Sequence, residues 1–183
     1  AEVEQLKVGQ MDNYVYLISC PVSKLAALVD PAYEVDRLLA HVEQKGLKLE
    51  YILATHGHPD HIGGNGKVKR ATGAKVVAHR SARHEVDISL AHEQSFQLGE
   101  LTIQCLHTPG HTPDGACFIV DDKYLITGDT LFVGECGRTD LPGSDARALW
   151  HSFFKVLYEL PDELVVLPGH DYGPAPTSTL GQE

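Results

Sequence analysis

The stretch Thr55-His56-Gly57-His58-Pro59-Asp60-His61 decides the fold and the chemistry of this chain. Three histidines and one aspartate lie within six residues, and a Gly-Gly pair follows at 63–64. The apolar run 51–54 before it predicts a buried strand, so the histidines leave the carboxyl end of a strand in a loop. Ligands of α/β folds bind at this position. Because polar turns favour Asn, Asp and Ser over repeated His, the stretch predicts a metal site rather than a surface turn.

Three further stretches have the same form, each a predicted strand that runs into a glycine-containing turn with a ligand-type side chain. They are Thr108-Pro109-Gly110-His111-Thr112-Pro113, Thr127-Gly128-Asp129-Thr130-Leu131-Phe132 and Pro168-Gly169-His170-Asp171-Tyr172. One such residue alone is as readily a helix cap or a core histidine, but four stretches in series have no common structural purpose. Together they give seven candidate ligands, namely His56, His58, Asp60, His61, His111, Asp129 and His170.

The type and number of these side chains indicate which metals would fit. Nitrogen and oxygen ligands without thiolate suit Zn, Fe or Mn, and seven ligands are too many for one tetrahedral ion. Two divalent metals that share a carboxylate fit better, and such a pair holds a hydroxide nucleophile at neutral pH. His56 and His58 lie two apart, which in an extended segment places both rings on one side. Asp60 and His61 are then expected to turn toward the second ion.

Composition narrows the class of protein. The chain has 183 residues, 43% of them hydrophobic, which is enough for one domain over residues 1–183 with its own core. The four cysteines are scattered without a Cys-x-x-Cys pair, so we expect no disulfide framework and a reducing compartment. A formal net charge of −10 argues against a nucleic-acid partner. No apolar run is long enough to span a membrane, and we expect a cytoplasmic protein.

Hydrophobic patterning predicts an alternation of strands and helices. A hairpin of strands opens the chain, and the second half repeats the first half's order of paired strands, helix and final strand. Two β-rich halves, each with covering helices, predict two sheets packed face to face between helix layers. The stretch 81–93 contains histidines, but its pattern predicts a loop or a short helix over the sheet. We therefore do not include it in the predicted metal site. The predicted strands are 13–18, 25–29, 51–55, 75–79, 95–98, 101–106, 116–120, 124–127 and 164–167, and the predicted helices are 34–45, 67–72 and 145–160, the last with Ser144 as N-cap.

The motifs Thr-His-x-His-x-Asp-His, Pro-Gly-His-Thr, Gly-Asp-Thr-Leu-Phe and Pro-Gly-His-Asp-Tyr, in this order, resemble the metallo-β-lactamase superfamily over nearly the full chain. The resemblance implies an α/β fold, a four-layer αββα sandwich with the metal site at one edge of the two sheets. It also implies how the ligands divide. The first metal would be held by His56, His58 and His111, the second by Asp60, His61 and His170, with Asp129 between them.

Two positions separate this chain from other branches of the superfamily. Position 58 is His, whereas flavin-linked diiron oxidoreductases carry Glu there. Position 129 is Asp, whereas many true β-lactamases carry Cys. Both branches are therefore disfavoured.

The segment 128–138 is similar to glyoxalase II, a thioesterase that cleaves acylated glutathione. Arg138 matches a Lys that binds the glycine carboxylate of glutathione, and Tyr172 matches a Tyr that hydrogen-bonds the same ligand. The resemblance implies a metal-dependent hydrolase in which a metal-bridged hydroxide attacks the thioester and Asp60 is both ligand and catalytic residue. Asp140 departs from the pattern, because glyoxalase II has another glutathione-binding Tyr there. Arg138 and Asp140 could instead pair with each other and brace the loop.

The segment 136–140, together with His170-Asp171-Tyr172, also resembles the persulfide dioxygenases. Those enzymes use one Fe(II), held by the residues that match His56, His111 and Asp129. Two histidines and one carboxylate leave open positions for dioxygen. The sequence therefore predicts a glyoxalase II-like thioesterase, with a persulfide dioxygenase as the alternative. The expected partner is a small-molecule thioester or persulfide, and the sequence leaves open both whether it is linked to glutathione and whether the protein is a homodimer.

Overall fold

Two six-stranded sheets form the centre of the protein, whose computed structural model describes residues 1–183. The first sheet contains the N-terminal half of the chain, and its strands follow one another in sequence order. Its first three strands are antiparallel and the next three are added in parallel. The strands of this sheet are β1 (Glu2–Val8), β2 (Asn13–Ser19), β3 (Leu25–Val29), β4 (Lys48–Leu53), β5 (Lys75–His79) and β6 (Ile88–Leu90).

The second sheet is built mainly from antiparallel neighbours. Its strands are β7 (Ser95–Leu98), β8 (Leu101–His107), β9 (Ala116–Val120), β10 (Tyr124–Gly128), β13 (Val165–Pro168) and β14 (Ser178–Thr179). Their order is β14-β13-β10-β9-β8-β7, and only β10 and β13 are parallel. Between these two strands the chain forms a small hairpin of β11 (Leu131–Phe132) and β12 (Glu135–Cys136), which sequence patterning did not predict.

Helices cover the outer faces of both sheets. Apolar side chains between the sheets form the largest core, and two smaller cores lie under the helices. This arrangement confirms the predicted αββα sandwich. No helix combines the length and the hydropathy needed to cross a membrane. The first sheet is covered by α1 (Val35–Gln44) and α3 (Asn65–Thr72), α2 (Pro59–Ile62) lies within the metal motif, and α4 (Ala146–His151) covers the second sheet.

The last helix differs from the prediction of a continuous helix over 145–160. After α4 the chain continues as a π-helical turn over 152–156 and a 3₁₀ turn over 157–159. Asp145, not Ser144, is the N-cap, because its carboxylate accepts two backbone N–H groups of the first turn at 2.9 and 3.1 Å. The Ser144 hydroxyl instead donates to the backbone oxygen of His111 at 2.8 Å. The predicted cap thus supports a ligand loop.

Three other predictions need small corrections. The strand predicted at 51–55 begins earlier, at Lys48, and the strand predicted at 164–167 is shifted by one residue. Within 81–93, the residues Ile88–Leu90 add a short parallel strand to the edge of the first sheet. All four cysteines are unpaired, and only Cys136 is exposed.

Candidate metal centre

All seven predicted ligands converge at one edge of the two sheets. They follow the ends of β4, β8, β10 and β13, so four strands deliver them from distant parts of the sequence. Within each of two groups, the potential ligand atoms lie within 4.8 Å of one another. The first group is His56, His58 and His111, and the second is Asp60, His61, Asp129 and His170.

Three of these imidazoles carry a buried nitrogen that no protein group satisfies. The Nε2 atoms of His56, His61 and His111 have no hydrogen-bond partner. They lie 3.7, 3.2 and 3.5 Å, respectively, from Oδ2 of Asp129. Buried polar atoms are nearly always paired, so three orphaned nitrogens around one carboxylate oxygen are the arrangement expected of ligands to a cation. The structure therefore fits a metal at this place.

Asp30 fixes the tautomers of two of these rings. Its carboxylate accepts the Thr55 hydroxyl at 2.6 Å and lies 2.8 Å from Nδ1 of His61. The His61 Nδ1–H therefore donates to Asp30, which leaves a lone pair on Nε2. Thr55 has given its only proton to Asp30, so its oxygen accepts Nδ1–H of His56 at 3.0 Å. Both rings are thereby prepared to bind metal through Nε2.

The His111 ring is oriented in the same way by a backbone carbonyl. Its Nδ1 lies 2.9 Å from the oxygen of Arg138 and donates to it, so Nε2 is again the free atom. The backbone of the loop that was expected to bind substrate therefore also positions a ligand. His58 completes this group, with its ring centroid 4.8 Å from that of His56 and 4.9 Å from that of His111.

Asp129 lies between the two groups of ligands. Burial alone would raise the pKa of its carboxyl, but the neighbouring His61 and His170 outweigh this effect and hold the pKa well below its usual value. Its Oδ1 accepts from Nδ1 of His170 at 2.8 Å, while Oδ2 faces the orphaned nitrogens. A Cβ at Gly137 or Gly169 would collide with Asp129. Gly169 therefore leaves the space that the carboxylate occupies, and Gly137 leaves room for the backbone oxygen of Asp129.

Asp60 is held by groups from two other segments and by its neighbour His61. Its Oδ2 lies 3.1 Å from Nε2 of His170 and 3.3 Å from Nε2 of His61. Asn13 donates to the same oxygen at 3.2 Å and to the Asp60 backbone oxygen at 2.9 Å. Burial raises the pKa of the Asp60 carboxyl, but the neighbouring rings of His170 and His61 lower it more, so the group stays ionised. An ionised carboxylate can bind a cation or orient water.

A cavity of about 460 Å³ opens over these ligands. Arg138 and Tyr172, the two predicted substrate residues, both line it. Arg138 forms a bidentate ion pair with Asp140 at 2.7 and 2.8 Å, as the bracing alternative expected. The Tyr172 ring stacks on His170, with centroids 4.5 Å apart, and is 51% exposed. Apolar wall positions are supplied by Met11, Phe132 and Leu141.

A family model described as the metallo-beta-lactamase superfamily matches residues 8–170. The chain belongs to this superfamily. The probable hydroxyacylglutathione hydrolase glo2 of Schizosaccharomyces pombe is 37% identical over 172 residues, which cover 90% of this chain and 66% of that protein. The mitochondrial persulfide dioxygenase ETHE1 of Mus musculus is 34% identical over 174 residues, 93% of this chain and 68% of that protein. The chain thus spans about two thirds of the curated relatives it matches.

Solved structures of the superfamily give the same assignment. ETHE1 from Myxococcus xanthus superposes with a TM-score of 0.94 at 35% identity and covers 100% of this chain and 81% of that one. TTHA1623, solved in a di-iron-bound form, has a TM-score of 0.82 at 30% identity and covers 98% of this chain and 96% of that one. The predicted superfamily and its fold are confirmed. The relatives bear two different names, a hydrolase and a dioxygenase, at similar identity.

Sequence reasoning missed the residues that orient the ligands. Asp30 lies in no motif and is followed by a proline, which suggests only a turn, although it comes directly after β3 in the same way that the ligands follow their strands. Thr55 opens the first motif, but the sequence pattern predicts no role for it. Asn13 was counted as a strand residue. Only the position of Asp30 at a strand end could have pointed to its function.

Proposed function

We propose that the protein is a metal-dependent thioesterase that uses two divalent ions and acts on a thioester with an anionic thiol portion, such as acylated glutathione. The observation that carries this proposal is the pair of ligand groups that meet at Asp129. His56, His58, His111 and Asp129 would hold one ion, and Asp60, His61, His170 and Asp129 the other. Two such ions supply a nucleophile from water at neutral pH and stabilise negative charge on the substrate oxygen.

The protein's own residues orient the water and the thioester. Asp60 is kept ionised by its histidine neighbours, so its carboxylate can accept a hydrogen bond from the attacking water. Water adds to the carbonyl carbon, the carbon–sulfur bond breaks, and the thiol leaves with a proton that originates from the water. Met11, Phe132 and Leu141 on the cavity wall reduce the access of bulk water to the acyl group.

Arg138 is the cation of the cavity wall that suits a substrate carboxylate. Its guanidinium is 63% exposed and already pairs with Asp140, which is 67% exposed. Exposed ion pairs contribute about 0–1 kcal/mol, so a substrate carboxylate can replace Asp140 at low cost. Tyr172 offers its hydroxyl at the other end of the wall, where it now donates to the backbone oxygen of Met11 at 3.4 Å. Both residues are the proposed substrate contacts.

A second candidate is a persulfide dioxygenase with a single Fe(II). It is favoured by the superposition on ETHE1 from Myxococcus xanthus over the whole of this chain, and by the relative named persulfide dioxygenase. The iron would use His56, His111 and Asp129, whose free Nε2 and Oδ2 atoms face each other. The thioesterase needs both ligand groups, whereas the dioxygenase needs only these three residues.

The deciding experiment compares two assays on protein whose metal content has been measured. Thiol release from an acylated glutathione is followed with a thiol reagent, and oxygen uptake with glutathione persulfide is followed on an electrode. We expect thiol release without oxygen uptake. Oxygen uptake that yields sulfite, without thioester cleavage, would overturn the thioesterase.

The variant His61→Ala distinguishes the two candidate functions by its effect on activity and on metal content. It removes a member of the second ligand group and leaves His56, His111 and Asp129 in place. A thioesterase with two ions should lose nearly all activity in this variant. A dioxygenase with one iron should keep its iron and most of its oxygen uptake. The exposed Arg37→Ala, in α1 and outside both ligand groups, serves as the folding control.

A further inference from the structure

The outer face of the last helical segment carries an aromatic ridge, which consists of Trp150, Phe154 and Tyr158. These side chains are 54%, 48% and 78% exposed. Their rings follow one another along the segment, with centroids 5.0 and 6.5 Å apart. Large aromatic side chains are enriched at the centres of protein interfaces and are uncommon as a contiguous exposed row.

The opposite face of the same segment is already used by the fold. Leu149 and Leu157 are buried, and Phe153, Val156 and Leu160 pack on or beside the small core under the helix. The Ser152 hydroxyl donates to the backbone oxygen of Pro109 at 2.7 Å. The segment therefore cannot rotate to bury the ridge. An amphipathic surface helix needs one apolar face, and this segment has a second one that lacks a partner.

We propose that the aromatic ridge is a homodimer interface in which two copies of the chain pack this segment antiparallel across a two-fold axis at Phe154. In this arrangement Trp150 of each copy faces Tyr158 of the other, and the two Phe154 rings meet on the axis. The ridge is then complementary to itself, as an isologous contact requires. In this packing, the residue four positions before Phe154 in one copy meets the residue four positions after Phe154 in the other copy.

Charge along the segment favours the antiparallel orientation. Arg147 precedes the ridge, after Asp145, whose carboxylate is already used as the N-cap of α4. Lys155 lies beside Phe154, and the acidic residues Glu159, Asp162 and Glu163 follow the ridge, all of them exposed. Antiparallel packing brings Arg147 of one copy to the acidic end of the other at both ends of the interface. Parallel packing would place like charges together. The net charge of −10 also disfavours an anionic membrane surface as the partner of this ridge.

The exposed aromatic area is of the size that an interface needs. Since a fully exposed aromatic side chain has about 150–250 Å², the stated exposures leave about 270–450 Å² of ridge on each chain. Two copies would bury about 500–900 Å² of aromatic surface, roughly a third to a half of a standard interface of about 1,600 Å². The flanking charged side chains can supply the remainder.

Sedimentation velocity over about 1–100 μM protein tests the proposal. We expect the wild-type chain to sediment at twice its mass of 20.0 kDa as concentration rises. Phe154→Asp places two carboxylates on the axis and should raise the dissociation constant at least about 30-fold, as loss of a central anchor does. Val22→Asp, at a 75% exposed position in a turn of the first sheet, should leave the dimer intact.

Two further variants keep the test decisive. Tyr158→Lys alters the most exposed ring and should also give monomers, even if Phe154→Asp proves poorly folded by circular dichroism. Arg147→Glu should weaken the dimer, and Arg147→Glu combined with Asp162→Lys should restore it. A wild-type chain that stays at 20.0 kDa at the highest concentration, with or without binding to phosphatidylserine vesicles, overturns the proposal. So does a dimer unaffected by both ridge variants, or one that the charge exchange fails to restore.

Discussion

The chain contains two clusters of histidines, and they differ in what their ring nitrogens contact. In the metal centre, three buried Nε2 atoms have no partner and point toward Asp129. In the second cluster, His79 and His107 stack with centroids 3.9 Å apart, beside His92. None of the three residues belongs to a set of converging ligand atoms.

Hydrogen bonds explain why the second cluster is not a metal site. Nδ1 of His79 accepts the backbone N–H of Ser81, and His107 donates Nε2–H to the backbone oxygen of Pro113 at 3.0 Å. Nδ1 of His92 accepts the backbone N–H of His107 at 3.0 Å. Each ring has one nitrogen engaged by the backbone, and the remaining nitrogens do not converge with a carboxylate oxygen on one point. The number of histidines in a cluster therefore does not indicate a metal site. Free nitrogen lone pairs that converge on a carboxylate do.

The largest effect should come from removing the carboxylate that distinguishes the two clusters. Asp129→Ala should lose both metals and lower kcat/KM about a thousandfold or more, because several kcal/mol of charge stabilisation depend on the ions. His107→Gln, in the second cluster, should keep full metal content. Elemental analysis by mass spectrometry measures both. Retained stoichiometry in Asp129→Ala would rule out its role as the shared ligand.

A smaller effect should follow from changing the group behind the ligands. Asp30→Asn keeps the shape of the side chain but cannot accept hydrogen bonds from Thr55 and His61 equally well. Loss of such an orienting group typically costs 10–100-fold in metal affinity, so we expect a decrease of about that size. A competitive chelator titration measures it, with Asp36→Asn as a control, since that side chain is 86% exposed. Equal affinities would show that Asp30 only supports the backbone.

A third variant separates metal binding from substrate binding. Arg138→Ala should leave metal content unchanged, because only the Arg138 backbone contacts His111. For an anionic thioester we expect KM to rise about tenfold with kcat nearly constant, as expected for loss of a uniform charge-assisted contact. Steady-state kinetics measure this difference, with Arg37→Ala as the matched control. An unchanged KM would show that the Arg138 side chain serves only to pair with Asp140.

The smallest effect concerns the second cluster and the pH dependence of stability. Burial, and then the neighbouring His107, lower the pKa of His79 from 6.5 to about 4. The ring is therefore neutral in the folded chain, while the unfolded chain binds a proton below about pH 6.5. The contribution of the neutral His79 ring to the free energy of unfolding is fully present above about pH 6.5 and is lost as the pH falls toward 4. We expect this loss to lower the free energy of unfolding by about 1–2 kcal/mol.

Urea unfolding of chelator-treated protein measures this contribution without interference from metal release. His79→Gln should lose less stability than the wild type between about pH 6.5 and 4. His92→Gln, at a side chain that is 41% exposed, should behave like the wild type. An unchanged pH dependence in His79→Gln would show that another group is responsible.

The first cluster could be predicted from sequence because its ligands stand in short motifs at strand ends. The repeated form of four such stretches, rather than any single histidine, pointed to the seven residues that the structure brings together. Asp30 has no motif around it, and its role appears only when β3 and β4 lie side by side and bring it to Thr55 and His61. Long-range contacts of this kind leave no local signal.

Helix details were also beyond the sequence for physical reasons. Ser144 and Asp145 are both good N-caps, and only the approach of the His111 loop decides that the serine hydroxyl is used there. The π-helical turn over 152–156 interrupts the continuous helix that the apolar spacing predicts, and that spacing contains no signal for it. The overall layers were predictable because they follow from apolar periodicity.

The wide separation of the ligands along the chain has a consequence for how the protein is made. The site needs residues from position 56 to position 170, a separation of 114 residues. At roughly 5–20 residues per second, a ribosome needs about 6–23 s to add the last ligand after the first has been joined. Throughout that interval the early histidines are available to whatever metal is abundant in their surroundings. One ligand group is incomplete until His111 has been added and the other until His170 has been added, so each forms only late in synthesis or afterwards.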